Sequence, residues 1–311
     1  MKYHVWKLKF AGDVHFGSGG LNTCENIVHA DTVFSALCVE AVRRDQKVLD
    51  RLIAAAREDR LRFSDALPYI GDQFYIPKPM VQINAERTAD SIQKKAMKKL
   101  EYIPVTLFQE YMNGRMDIKK ESDFFSEHLG AFRMIEKAAV TGREETVPYG
   151  VQVFRFADDS GLYLCCAYED EETLNLVMEL LDSLGFSGLG GELSSGLGRF
   201  SLYRSKPTET KTLISRLGDR GYQRYLSLSI SLPCESELET ALDQAGYQII
   251  RRSGFIASET YASSARKKRD LYVFSQGSTF VHPFKGDIYD VSEGGAHPVY
   301  RYAKPFFFGV E

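Results

Sequence analysis

Residues 3–10 alternate, with His4, Trp6, Leu8 and Phe10 on one side and Tyr3, Val5, Lys7 and Lys9 on the other, the signature of a half-buried strand. A glycine-rich loop follows. Phe34, Leu37, Cys38 and Ala41 then share one face of a helix over about 32–44, with Asp31 placed to cap it. Val48, Leu49, Leu52, Ile53 and Ala56 extend the helical region, and "LRFSDALPYIGDQFYIPKP" reads as two short strands around a Pro/Gly turn. Further on, 151–156 and 162–168 have strand character, joined by the hairpin signal "ADDSG". "DEETLNLVMELLDSLG" carries a helical stripe of Leu174, Val177, Met178, Leu181 and Leu184, with an acidic first turn and Gly185 placed to end it. A glycine run and a last strand, 199–205, complete the series.

This order, β-α-β-β-α-β, is the ferredoxin-like (RRM-like) one. Residues 80–147 are polar, charge-dense and weakly periodic, and read as a long insertion. In the remainder, 225–233 alternates Leu226, Leu228, Ile230 and Leu232 against Ser227, Ser229 and Ser231. A short helix over 236–245 and three strand-like stretches follow. The expected class is therefore α+β, with two ferredoxin-like domains: 1–207, carrying the insertion at about 80–147, and 208–311.

Composition narrows the setting. The 311 residues are 44% hydrophobic and 26% charged, as for a globular soluble chain. No apolar run reaches the roughly 18–20 residues of a membrane helix, and "MKYHVWKLKF" lacks the apolar core of a signal peptide. The five cysteines form no CxxC pair, which points to a reducing cytosol. A net charge of −3 counts mildly against a nucleic-acid binder. Two basic patches count the other way: "KKAMKK" (94–99) and "ARKKR" (265–269).

"GFSGLGGELSSGLGRF" (185–200) places six glycines in sixteen residues. "GELSSGL" has P-loop glycine spacing, but Leu197 stands where lysine is needed. A dinucleotide fingerprint runs strand, glycines, helix; here the order is reversed. What remains is either a surface of bare amides, with Ser194, Ser195 and Arg199 as extra donors, or a crossover in which helix and strand pack closely. Catalytic signatures are sparse. His15, in the loop after the first strand, occupies a place where a general base could work. His29 and Asp31 supply two metal ligands with no third nearby. No catalytic residue, metal or cofactor is assigned.

The motifs together resemble the RAMP superfamily of CRISPR proteins, whose signature is a last strand preceded by "GLGGELSSGLGRF". "VHFGSGG", "HADTVFSAL", "FYIPKP", "KKAMKK" and the terminal "HPVYRYAKPFFFGV" narrow the resemblance to the RAMP subunit of type III-A (Csm) effector complexes that holds the 5′ tag of the guide RNA. This implies a non-catalytic, cytoplasmic RNA-binding scaffold with three partners: the guide RNA, the large polymerase subunit and a neighbouring backbone RAMP subunit. The implied RNA contacts are His15, Gly17 and Ser18 in the first loop; Lys94, Lys95, Lys98 and Lys99 in the insertion; Gly188, Gly190, Gly191, Ser194, Ser195, Gly196, Gly198 and Arg199 in the glycine loop; and Arg251 and Arg252. The alternatives are a RAMP endoribonuclease using His15 or His29, the equivalent type III-B subunit, or a plain protein-interaction module.

Overall fold

The computed structural model describes residues 1–17, 19–82, 91–139, 147–218, 221–258 and 260–310. Strand β1 (Lys2–Phe10) leads into the two-residue ribbon β2 (Phe16–Gly17) and β3 (Cys24–Glu25), then helices α1 (Ala30–Arg44) and α2 (Gln46–Arg57). Short strands β4 (Leu61–Phe63), β5 (Leu67–Ile70) and β6 (Gln73–Pro77) follow. After them come α3 (Ser91–Lys99), β7 (Tyr102–Pro104), α4 (Phe108–Met112) and α5 (Ile118–His128). A long hairpin of β8 (Gly130–Ala139) and β9 (Val147–Phe156) precedes β10 (Ser160–Tyr168), α6 (Glu171–Ser187) and β11 (Phe200–Arg204).

The main sheet runs β11-β1-β10-β5-β6-β7, with β4 also paired to β10. Strands β11, β1, β10 and β4/β5 are mutually antiparallel neighbours. The two long helices that follow β1 and β10 pack together through buried Val33, Phe34, Leu37, Val177, Leu181 and Leu184. Strand β10 is buried at all nine positions, so its ladder is filled by β1 on one side and β4 and β5 on the other.

That filling corrects the expected hairpin of 151–156 with 162–168. Strand β9 pairs instead with β8 over ten residues, from Gly130 opposite Phe156 to Ala139 opposite Val147. The turn at Ala157 is held by Ser160, whose Oγ donates to the Leu129 carbonyl at 2.6 Å. Asp31 does not cap α1 either. His29 stands at the cap position, and the Asp65 carboxylate accepts from the Ala30 amide at 2.8 Å. Gly185 lies within α6, which ends at Gly188 with φ of 93°. A Cβ on Gly185 would stand 2.5 Å from the Phe200 carbonyl oxygen, so glycine there serves helix–strand packing.

The stretch read as an insertion contributes to the core. β7 extends the main sheet from β6, and Leu100, Ile103, Val105, Phe108, Tyr111 and Leu129 join its hydrophobic cluster. Their apolar residues come in short clumps, which periodicity does not detect.

In the second half lie α7 (Pro207–Ser215), β12 (Tyr225–Ser227), α8 (Glu235–Leu242), β13 (Ile249–Arg252), β14 (Leu271–Phe274), β15 (Thr279–Phe280), β16 (Asp287–Asp290), β17 (Tyr300–Ala303) and β18 (Phe307–Gly309). They form a three-stranded sheet, β15-β12-β18, and the two hairpins β13-β14 and β16-β17. No helix occurs after β14 among the described residues; the β16-β17 hairpin stands where a second helix of the expected repeat would be. The serine face of 225–233 is buried, not solvated: Ser227, Ser229 and Ser231 have no exposed surface. Backbone groups take up two of the hydroxyls: Ser227 Oγ donates to the Ser229 carbonyl at 2.7 Å, and Ser229 Oγ to the Lys304 carbonyl at 2.9 Å.

The halves share one core. Leu226, Leu228, Tyr302, Phe306 and Phe308 belong to the same cluster as the main sheet. Phe108 meets Phe308 edge-on with ring centroids 5.1 Å apart, and the Tyr302 hydroxyl accepts from the Phe63 amide at 2.9 Å.

Candidate nucleic-acid interface

The loop after β1 and the glycine loop after α6 lie against each other because β1 and β11 are paired. The Ala11 amide donates to Arg199 O at 3.1 Å, Gly198 N to Asp13 O at 3.0 Å, and Gly191 N to His15 O at 2.8 Å. Contact this close requires glycine. A Cβ on Gly198 would lie 2.1 Å from Leu189 O, and one on Gly190 would lie 2.6 Å from His15 O. The amides of Gly188, Leu189, Gly191, Ser195, Gly196 and Gly198 are all engaged by carbonyls within the protein. The loop is thus not a row of bare amides. Its glycines permit close crossing of the two loops, and the outer part carries the exposed groups Ser194, Ser195, Gly196 and Arg199. Gly196, with φ of 80°, faces open space. Lys137 of β8 pins this outer part by hydrogen bonds to Glu192 and Ser195.

The crossing borders a groove of about 580 Å³ whose wall includes His15, Gly17, Gly188, Gly190, Gly191 and Arg252. A second groove of about 780 Å³ adjoins it through Gly17, His29 and Arg252, and continues past Arg251, Lys78 and Tyr102. The trough thus runs across the contact between the two halves of the chain. Seven of the expected contacts border it: His15, Gly17, Gly188, Gly190, Gly191, Arg251 and Arg252. Gly198 is buried behind the wall, and Ser194, Ser195, Gly196 and Arg199 stand outside it. Ser18 lies outside the described residues, as does the side chain of Lys94. Lys95, Lys98 and Lys99 are exposed on α3 with no ion-pair partner among the described residues, and Lys99 borders a cleft that adjoins the second groove through Tyr102 and Phe132.

The histidines have local partners. His15 is buried, with Nδ1 2.7 Å from the Gln152 carbonyl. A carbonyl only accepts, so Nδ1 carries the proton and Nε2 is left toward Gly17. His29 Nδ1 is 2.6 Å from Asp65 Oδ2, and its Nε2 lies 3.6 Å from Glu25. Asp31 turns to a different pair: Arg252 donates to it at 3.0 and 2.9 Å, and Arg301 of β17 donates as well. His29 and Asp31 therefore do not share a metal site. Burial opposes ionisation of Asp31, but the two arginines outweigh it and hold its carboxyl well below the usual range. Lys268 stands close by, with Nζ 3.1 Å from Ser35 Oγ; burial and then Arg301 lower its pKa.

The sequence pattern did not mark Asp65 or Arg301, and marked Lys268 only as part of the basic patch "ARKKR". Asp65 sits in the loop between β4 and β5 and accepts from His29, the Ala30 amide and the Ile230 amide. No local pattern marks a carboxylate that binds two remote segments.

Residues 7–201 match the RAMP superfamily, and residues 220–310 match the CRISPR Csm4 C-terminal domain. The chain belongs to the Csm4 family of RAMP-superfamily proteins. It is similar to the CRISPR system Cms protein Csm4 of Mycobacterium tuberculosis (strain CDC 1551 / Oshkosh), at 40% identity over 95% of this chain and 94% of that protein. Its fold resembles a chain in the crystal structure of a Csm3-Csm4 subcomplex of the type III-A CRISPR-Cas interference complex, with a TM-score of 0.65, 18% identity and 99% of each chain covered. It also resembles a chain in the crystal structure of a Csm1-Csm4 cassette in complex with pppApA, with a TM-score of 0.61, 18% identity, and 100% of this chain and 98% of that one covered.

Proposed function

We propose that this chain is a non-catalytic RNA-binding scaffold of a type III-A CRISPR interference complex, holding the 5′ tag of the guide RNA. It would also dock the large polymerase subunit and adjoin a neighbouring backbone RAMP subunit. Family membership supports the first part. The partners are supported by the solved relatives, which are a Csm3-Csm4 subcomplex and a Csm1-Csm4 cassette. The observation that carries the RNA reading is the trough itself, where the glycine-loop crossing, the first loop and Arg252 meet. Residues 1–207 and 208–311 are read as two ferredoxin-like units, the second with a hairpin in place of one helix. The segments matched by the two families, 7–201 and 220–310, fall on either side of that division. The shared core favours the two units folding as one body. No helix among the described residues is long and apolar enough to cross a membrane, and the place of action is taken to be the cytoplasm.

Two arrangements favour holding over cutting. His29 is committed to Asp65, and His15 is held in the loop crossing by the Gln152 carbonyl. Co-purification from cells carrying the CRISPR locus, with sequencing of the bound RNA, tests the reading. Guide RNAs sharing one 5′ end, recovered with the large subunit, are expected. Repeat RNA cut by the pure protein, with cutting lost in His15→Ala, would establish the endoribonuclease instead.

A further inference from the structure

The basic run "ARKKR" forms one side of a small exposed ribbon. Phe255 bridges Lys267 in antiparallel fashion, the Ile256 amide donates to Arg266 O at 2.9 Å, and Lys268 N donates to Gly254 O at 2.8 Å. Phe255 is 63% exposed, an unusual position for a large apolar ring, and Lys267 Nζ lies 5.7 Å from its centroid. The ribbon is at the edge of the trough: Phe255, Gly254, Lys268 and Arg301 line the same groove as the glycine loop.

Cationic side chains line the groove beside the ring. Arg252, Arg301 and Lys268 gather around one carboxylate, Asp31. Of the other acids nearby, Glu40 is 2.6 Å from Arg43, while Glu25 and Asp65 add to the field that favours the charged form of Arg252. Arg301 is 4% exposed, and its buried Nε has no hydrogen-bond partner among the described residues. Cationic side chains in the same groove as an exposed aromatic ring suit a nucleotide, whose base offers a π-face and whose phosphate offers negative oxygens.

We propose that the ribbon of 254–256 and 266–268 is a nucleotide subsite for single-stranded RNA, in which Phe255 stacks on one base while Lys268 and Lys267 meet the adjoining phosphates. The subsite rests on the RNA-binding reading and adds a contact from the second half of the chain to those of the first. Phe255 supplies stacking without sequence readout, so this position takes any base.

The full-length protein is titrated with 5′-tag RNA. In parallel, tag RNAs carrying 5-iodouridine at one position at a time are photocrosslinked to it, and the attached peptide is identified by mass spectrometry. Phe255→Ala is expected to weaken binding roughly tenfold with an unchanged melting temperature, while Phe255→Trp retains it. One iodouridine position is expected to crosslink to Phe255, a readout on the unaltered protein that needs no variant to fold. Wild-type protein that binds the tag, with Phe255→Ala binding equally well and no crosslink to 254–256, overturns the subsite and leaves the scaffold reading standing. A Phe255→Ala defect confined to association with the large subunit would make the ribbon a protein contact and overturn it too. Failure of the wild type to bind RNA would overturn both.

Discussion

Arg252 of β13 grips Asp31, in the first turn of α1, with two hydrogen bonds of 3.0 and 2.9 Å that join the second half of the chain to the first. Arg301 adds a bond to the same carboxylate from 270 residues away in sequence. The contact lies at the floor of the trough, so the geometry of the candidate RNA site depends on it.

Removing one member of a buried ion cluster leaves the others uncompensated, which costs about 3–5 kcal/mol. Asp31→Asn is therefore expected to lower unfolding free energy by that amount in urea titrations at neutral pH. The folded state holds this carboxyl below its ordinary value of 3.8. The unfolded chain thus takes up the proton first. The stability Asp31 provides is complete above the ordinary value and is lost as pH falls toward the folded one. The gap between wild type and Asp31→Asn should accordingly be constant from pH 7 to about 5 and narrow on further acidification.

The glycine loop gives a graded series. Gly198→Ala introduces a Cβ 2.1 Å from Leu189 O at φ of 76° and should lower the melting temperature most. Gly196→Ala meets open space at φ of 80° and pays only the left-handed backbone cost, roughly 1–2 kcal/mol. Differential scanning fluorimetry separates the two. A Gly196→Ala variant that is well folded yet weakened in tag binding would place RNA on the outer part of the loop.

The lysines of α3 should act through charge alone. Replacing Lys95, Lys98 and Lys99 by alanine is expected to leave stability within about 0.5 kcal/mol, as for exposed surface changes. The log–log salt slope of RNA binding should become shallower by up to about 2, at roughly 0.7 per single-strand phosphate contact. An unchanged slope would make them an ordinary solvated face.

The terminal aromatics are core. Tyr302, Phe306, Phe307 and Phe308 are buried, and Phe308 packs on Phe108 and pairs through β18 with β12. Phe308→Ala should cost about 3–5 kcal/mol. Its effect on association with the large subunit should follow the folded fraction measured by circular dichroism.

Local signals in the sequence carried over where one element's own pattern decided the outcome. The alternation of β1 placed Trp6, Leu8 and Phe10 inside, though Val5 on the other face is buried too, and the stripe of α6 placed Leu174, Val177, Leu181 and Leu184 inside but also Met178, which is exposed. Long-range pairing was not legible. The "ADDSG" turn looked like a hairpin because nothing local shows that β10 is already flanked on both sides. Asp31 looked like a cap because Arg252 and Arg301 are more than 200 residues away. The glycine run was legible as an anomaly, but its reason was not. Only the crossing with 13–15 shows that the backbone itself occupies the space a Cβ would need.

Fluorescence anisotropy with the purified full-length protein bears most directly on the scaffold reading. Labelled 5′-tag RNA is compared with scrambled RNA of equal length, and the RNA is run on a denaturing gel afterwards. A scaffold that sets the register of the guide should bind the tag at least tenfold more tightly, about 1.4 kcal/mol, and return it intact. Equal affinity for both RNAs, no binding, or a cut tag would contradict it.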